Sequence, residues 1–147
     1  MQATGSTVIK ASREKVWEHL TNPDFVAKCA PGLESMEVVE ENKKYRAIGS
    51  VGLGNLKVRF SGEVEFVTME APNCAVVKGR GTAPGSAVEG TAEMKLRDGA
   101  DGATIMDWTA DVKVLGTIAS LASRMMNSVA QKLSNQFFDC VRQQIEE

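Results

Sequence analysis

Histidine occurs once in these 147 residues, at His19, and cysteine three times, at Cys29, Cys74 and Cys140. Donors so few and so scattered support neither a zinc site nor a disulfide framework, and three free, buried thiols are the expectation. His19 falls near the end of a short predicted helix, where a solvated side chain is the plain reading and catalysis the strained one. An excess of one charge is also missing. Seventeen Lys and Arg against nineteen Asp and Glu leave a net charge of −2, and the scattered basic residues make no nucleic-acid footprint. Long hydrophobic runs are absent as well: residues 114–123 are free of charge, but Arg124 ends the run, whereas a membrane span needs about twenty apolar residues. The first fifteen positions carry Lys10, Arg13, Glu14 and Lys15 and no apolar signal-peptide core, so a cytoplasmic location is expected.

What the chain does have is ordinary globular composition, 43% hydrophobic and 24% charged, in a length that suits one domain, 1–147, with a real core. Its last quarter carries a long apolar stripe. Ile118, Leu121, Ala122, Met125, Met126, Val129, Leu133, Phe137, Val141 and Ile145 recur every three or four residues, which predicts one amphipathic helix over 117–147 with Thr117 as its cap. At about 1.5 Å per residue such a helix reaches roughly 40 Å and needs a wide surface to lie against.

The preceding residues supply that surface. Residues 2–10 read as a first strand. Ser12 caps a short helix through Val16, Trp17 and Leu20, and Asn22-Pro23 opens a second through Phe25 and Val26, which ends at Ala30-Pro31-Gly32. Turn signals at 41–42, 52–55, 71–73, 83–85 and 98–102 then cut the middle into six strands. Alternation is clear in three of them. Leu56, Val58, Phe60, Val64 and Phe66 oppose Lys57, Arg59, Glu63 and Glu65; Val88, Ala92, Met94 and Leu96 oppose Glu89, Glu93, Lys95 and Arg97; Met106, Trp108, Ala110, Val112 and Val114 oppose Asp107, Asp111 and Lys113. One wet and one apolar face mean an antiparallel sheet covered on one side, and the long helix is the cover. The order is β-αα-ββββββ-α, a single α+β domain. Strand glycines such as Gly62, Gly79, Gly81 and Gly90 point to strong curvature.

A curved sheet around a helix leaves room between them. The inner face mixes small Gly62, Gly90, Ala92, Ala110 and Ala122 with large Phe60, Phe66 and Trp108. Small residues there either leave a cavity or let large neighbours pack, and both readings stand at this point. The candidate cavity lining is Phe60, Phe66, Met94, Met106, Trp108, Ala110 and Val112 from the sheet, with Leu121, Ala122, Met125, Met126 and Val129 from the helix; methionine suits a pliable apolar wall. No catalytic constellation and no metal site is read from the residues. Asp98 and Asp101 belong to a hairpin turn, because an EF-hand needs further oxygens and a distal Glu. The Gly52-x-Gly54 and Gly79-x-Gly81 pairs open no helix and so hold no phosphate.

Four stretches resemble the family of the carbon monoxide dehydrogenase G subunit: Val16-Trp17 with Asn22-Pro23, the Cys29-Ala30-Pro31-Gly32 turn, the strand from Gly52 to Gly62 with its Phe60-x-Gly62 ending, and Val114-Leu115-Gly116-Thr117-Ile118-Ala119 before the helix. The element order likewise resembles the helix-grip fold of the START and birch-pollen-allergen superfamily, seven antiparallel strands gripping a C-terminal helix around an apolar cavity. The resemblance implies an accessory or carrier protein that binds a quinone or isoprenoid lipid for a molybdenum hydroxylase such as carbon monoxide dehydrogenase, with no covalent cofactor and no nucleic-acid partner. Many members carry a further C-terminal extension taken as a membrane tether. With the sequence ending at Glu147 after the grip helix, the expectation is transient peripheral contact with the inner face of the cell membrane. The alternatives are a polyketide cyclase- or dehydratase-like enzyme of the same fold and a structural interaction module with a filled core.

Overall fold

The computed structural model describes residues 2–146. The chain runs β1 (Gln2–Ile9), α1 (Arg13–Leu20), α2 (Pro23–Cys29), β2 (Leu33–Glu40), β3 (Lys44–Leu53), β4 (Leu56–Glu70), β5 (Cys74–Ala83), β6 (Ser86–Asp98), β7 (Thr104–Gly116) and α3 (Ala119–Ile145), with one 3-10 turn, Ala100–Gly102, between β6 and β7. The strands form one antiparallel sheet in the order β1-β7-β6-β5-β4-β3-β2. Only β1 has left its sequence neighbours: it pairs with β7 and leaves α1 and α2 to cross to the far edge.

The helix starts follow local chemistry. The Ser12 hydroxyl accepts from the Lys15 N–H at 3.3 Å, and the Asn22 side chain accepts from the Asp24 N–H at 3.0 Å with Pro23 at the first position. Thr117, expected to cap α3, does not. Its N–H donates to the Gly85 carbonyl at 3.0 Å and its hydroxyl lies 3.2 Å from that of Ser86, so it ties the helix entrance to the β5–β6 turn while Ile118 takes the cap position.

Two glycines face each other where β4 meets β5. Gly62 lies directly opposite Gly81, and a Cβ at Gly62 would stand 1.9 Å from the Arg80 carbonyl oxygen, an approach that only glycine permits. The outer face is wet, with Lys44–Glu63, Arg80–Glu89 and Arg97–Asp107 at 3.1, 3.1 and 2.7 Å, pairs that each contribute little.

The packed core sits at the C-terminal half of α3. Phe138, Val141 and Ile145 meet Val16 and Leu20 of α1, Ile9 of β1, Leu96 and Met106. Thr104, fully buried beside this cluster, donates its hydroxyl to the Ala11 carbonyl at 2.7 Å. At its other end α3 reaches the β3–β4 hairpin, where the Met125 sulfur lies 3.7 Å from the point at which Gly54 would carry a Cβ. The expectation of three free thiols is corrected here: Cys29 and Cys140 form a disulfide, their Cα atoms 5.4 Å apart. The end of α2 packs on α3, a meeting that a sequence separation of 111 does not announce. Cys74 remains free and half-buried, and burial, with Glu93 and Glu70 nearby, pushes its thiol pKa up, away from a reactive thiolate.

Candidate ligand-binding cavity

Between the sheet, α1, α2 and α3 lies a chamber of about 530 Å³. Leu20, Pro23 and Val26 close one side, Leu33 and Met36 of β2 another, and Leu133, Phe137 and Phe138 of α3 form the roof. The floor is the inner face of the sheet: Tyr45, Ala47, Val64, Phe66, Ala75, Val77, Ala92, Met94, Met106 and Trp108. A second chamber of about 400 Å³ adjoins it, shares Leu33, Ala47, Val64, Val77 and Ala92, and continues to Phe60, Gly62, Gly90, Ala110 and Val112. The small residues of the sheet's inner face therefore leave space rather than admit large neighbours. A wider hollow of about 870 Å³ lies on the outer face among Lys44, Glu63, Arg80 and Glu89, but those charges pair with one another and make a solvated surface.

The sheet residues expected to line a cavity divide between the chambers: Phe66, Met94, Met106 and Trp108 face the first, and Phe60, Ala110 and Val112 the second. The helix residues expected there, Leu121, Ala122, Met125, Met126 and Val129, line neither chamber. The helical stripe is continuous, but the roof falls one to four turns further on, because the first turns of α3 lie toward the β3–β4 hairpin. Tyr45, Ala47, Ala75 and Val77 of the sheet, Leu133, Ser134, Phe137 and Phe138 of α3, and the residues from α1, α2 and β2 are not in the expected lining. Tyr45 could have been found from the two-residue alternation Tyr45, Ala47, Gly49, Val51, a pattern obscured by Lys43, Lys44 and Arg46.

Two aromatic groups flank the first chamber. Trp108 lies 6.1 Å from Phe138, which meets Phe137 edge-on at 5.2 Å, and Tyr45 meets Phe66 edge-on at 6.3 Å. The indole has its place because Gly5 sits opposite Trp108 in register; a Cβ there would approach the ring to 2.7 Å.

Polar groups are few. Glu93 is the one charged residue of the first chamber's lining; it alternates with the inward Ala92 and Met94 and meets Lys95 at 3.5 Å. Thr21 donates its hydroxyl to the Trp17 carbonyl at 2.7 Å. Burial raises the pKa of the Tyr45 phenol, so the group is protonated at neutral pH. His19 is not part of the lining: its Nδ1 lies 2.7 Å from the Lys15 carbonyl and its ring meets Phe25 edge-on at 4.9 Å. Asp98, the last residue of β6, pairs with Arg13 at 2.9 Å.

The family of the carbon monoxide dehydrogenase G subunit (CoxG) matches residues 5–146, nearly the whole chain. The chain belongs to this family. A conserved protein of Geobacillus kaustophilus is similar to this CoxG family member at 26% identity and a TM-score of 0.91, over 99% of this chain and 95% of that one. The fold is shared more widely. An aromatase/cyclase from a Streptomyces species superposes with a TM-score of 0.76 at 16% identity, over 99% of this chain and 93% of that one. A START superfamily protein from Mycobacterium smegmatis superposes with a TM-score of 0.71 at 9% identity, over 99% and 97%. No functionally curated protein matches the sequence. Among the described residues, no helix of this CoxG family member is long and apolar enough to cross a membrane.

Proposed function

We propose that this member of the CoxG family binds a neutral hydrophobic small molecule, a quinone or other isoprenoid lipid, in the two inner chambers, and serves as its carrier beside a molybdenum hydroxylase such as carbon monoxide dehydrogenase. The observation that carries this reading is the chamber of about 530 Å³ with its almost wholly apolar wall. Its volume is in the range of small-molecule sites, and each buried methylene contributes about 0.8 kcal/mol, so part of an isoprenoid tail suffices for binding without a charged anchor. In this reading the protein acts by binding and not by turnover, in the cytoplasm, with transient contact at the inner face of the membrane to load or deliver its ligand.

The test has two parts. Native mass spectrometry of protein purified from its own host should reveal an adduct of lipid size. A short-tailed quinone titrated into delipidated protein should saturably quench tryptophan emission, since Trp108 lies in the chamber wall. Protein that carries no adduct and shows no saturable quenching would leave the chambers as unfilled packing space and end the carrier reading.

A further inference from the structure

The apolar chamber has a polar neighbour. A groove of about 410 Å³ runs between β1 and α3, bordered by residues 2–7 of the strand and by Asn127, Gln131 and Asn135 of the helix. Residues four apart on a helix share a face, so the three amides stand in one row along the groove. On the other side β1 is an edge strand that pairs with β7 alone. Its Thr4 and Ser6 hydroxyls are committed, donating to the Trp108 carbonyl at 3.1 Å and the Asp107 carboxylate at 2.9 Å. Arg142 is the one charged residue of the lining, and it donates to the Thr7 hydroxyl and, at 2.6 Å, to Asp139. The groove is polar without free charge.

Trp108, Ser134 and Phe138 belong to the walls of both hollows, so groove and first chamber meet at these three side chains. Ser134 and Phe138 lie one helical turn apart, and the Phe138 ring stands 6.1 Å from the indole. The nitrogen-bearing edge of the indole faces β1, since a Cβ on Gly5 would lie 2.8 Å from Nε1. Neither that N–H nor the Ser134 hydroxyl has a hydrogen-bond partner among the described residues. Both side chains are half-buried, and neither polar atom is enclosed, so both are reached from the hollows. Water serves them while the neck is empty. A ligand that fills the neck has to replace that water or leave both groups unpaired. The indole only donates, whereas the serine donates or accepts, and together they suit an uncharged oxygen. A desolvated anion lacks a free cation here, and no carboxylate lines the groove for a cationic head.

We propose that the groove between β1 and α3 is a head-group subsite: the ligand's apolar tail lies in the first chamber, and an uncharged hydroxyl or carbonyl head bonds to Trp108 Nε1–H and the Ser134 hydroxyl at the neck. This deepens the carrier reading and rests on it. The amides of Asn127 and Gln131 extend the polar surface beyond the neck. A ligand so held has a direction, tail toward the sheet's inner face and head toward the β1 edge. The subsite also sets selectivity, because a fatty-acid anion of the same length finds no free cation there.

Decan-1-ol, decane and decanoate share one carbon chain and differ at its end, so they report on the head separately from the tail. Each displaces the short-tailed quinone from delipidated wild type, Ser134→Ala and Gln131→Phe, read as recovery of tryptophan emission. Ser134→Ala removes the hydroxyl at a helical position that alanine suits, and Gln131→Phe fills the groove at a residue that does not line the chamber. Each variant should weaken decanol binding by about fivefold, the size of one hydrogen bond, and change decane binding by less than about twofold. Wild type should hold decanol at least about tenfold more tightly than decanoate. The Trp108 indole N–H resonance should move downfield when decanol binds and not when decane does. Equal losses for decanol and decane, no loss of decanol in either variant, a preference for decanoate, or an indole signal that decane moves as far would overturn the subsite while the chamber keeps its carrier role. If neither the quinone nor any of the three probes binds wild type, the carrier reading and the subsite fall together.

Discussion

Ala92 and Ala122 share a side chain and have opposite surroundings. Ala92 lies on the inner face of β6, lines both chambers and is exposed there, whereas Ala122 on α3 is 1% exposed. Phenylalanine at Ala92 has space to enter, so Ala92→Phe should change stability by less than about 1 kcal/mol in urea unfolding and abolish quinone quenching. The same ring at Ala122 overpacks a filled site and should cost about 1–3 kcal/mol or more. Both positions look alike in the sequence, since each is a small residue on an apolar face, and only the distance to the facing element separates them. The ionic surface has its own expectation. Arg97 at 2.7 Å and the Ser6 hydroxyl at 2.9 Å hold the Asp107 carboxyl below its usual pKa. A depressed native pKa makes the pair stabilising above the unfolded value of about 3.9 and removes that contribution as pH falls through the native value. Wild type should therefore lose more stability than Asp107→Asn between about pH 5 and pH 2. The difference should be small and shrink with added salt, because the pair is exposed.

For whole elements, the strands were the readable part. Alternation is a local property of each chain segment, so β4, β6 and β7 showed their faces without reference to one another, and the turn residues marked their ends. The bend of the sheet was visible only as a scatter of glycines, with no sign of which ones mattered. The structure separates them. A Cβ at Gly62 would meet the Arg80 carbonyl at 1.9 Å, while one at Gly52 would have no atom within 4 Å. Gly62→Ala should then cost about 3 kcal/mol or more in thermal or urea unfolding and disturb the β4–β5 pairing. Gly52→Ala should be neutral or stabilise by a few tenths of a kcal/mol through the unfolded chain. The long helix shows the opposite balance. Its period gave the apolar stripe, including Phe137, yet not Phe138 in the core or the stretch that roofs the chamber, because an apolar face wider than 100° admits several neighbours and the partner decides among them.

At the scale of the molecule the one covalent tie is the Cys29–Cys140 disulfide, which joins α2 to α3 beside the chamber that both helices line. It closes a loop with a sequence separation of 111, and removing such a constraint from the unfolded chain typically costs about 2–5 kcal/mol. Cys140→Ser, or wild type in reductant, should unfold at lower urea by that amount. A cytoplasm keeps most thiols reduced, so trapping the protein from its host with a thiol-blocking reagent also reports its compartment: a blocked pair fits the cytoplasmic proposal, and an intact bond argues for an oxidising location.

The sequence by itself determined the order β-αα-ββββββ-α, the wet and apolar faces of the strands and the amphipathic C-terminal helix, because periodicity, caps and turn residues act over a few positions and need no partner. It also carried the family likeness. Only the tertiary structure decided that the inner face is hollow, which helical turns roof it and which cysteines meet. Each of these depends on how far one element stands from another, a distance set by the summed packing at both ends of α3 and not by any segment alone.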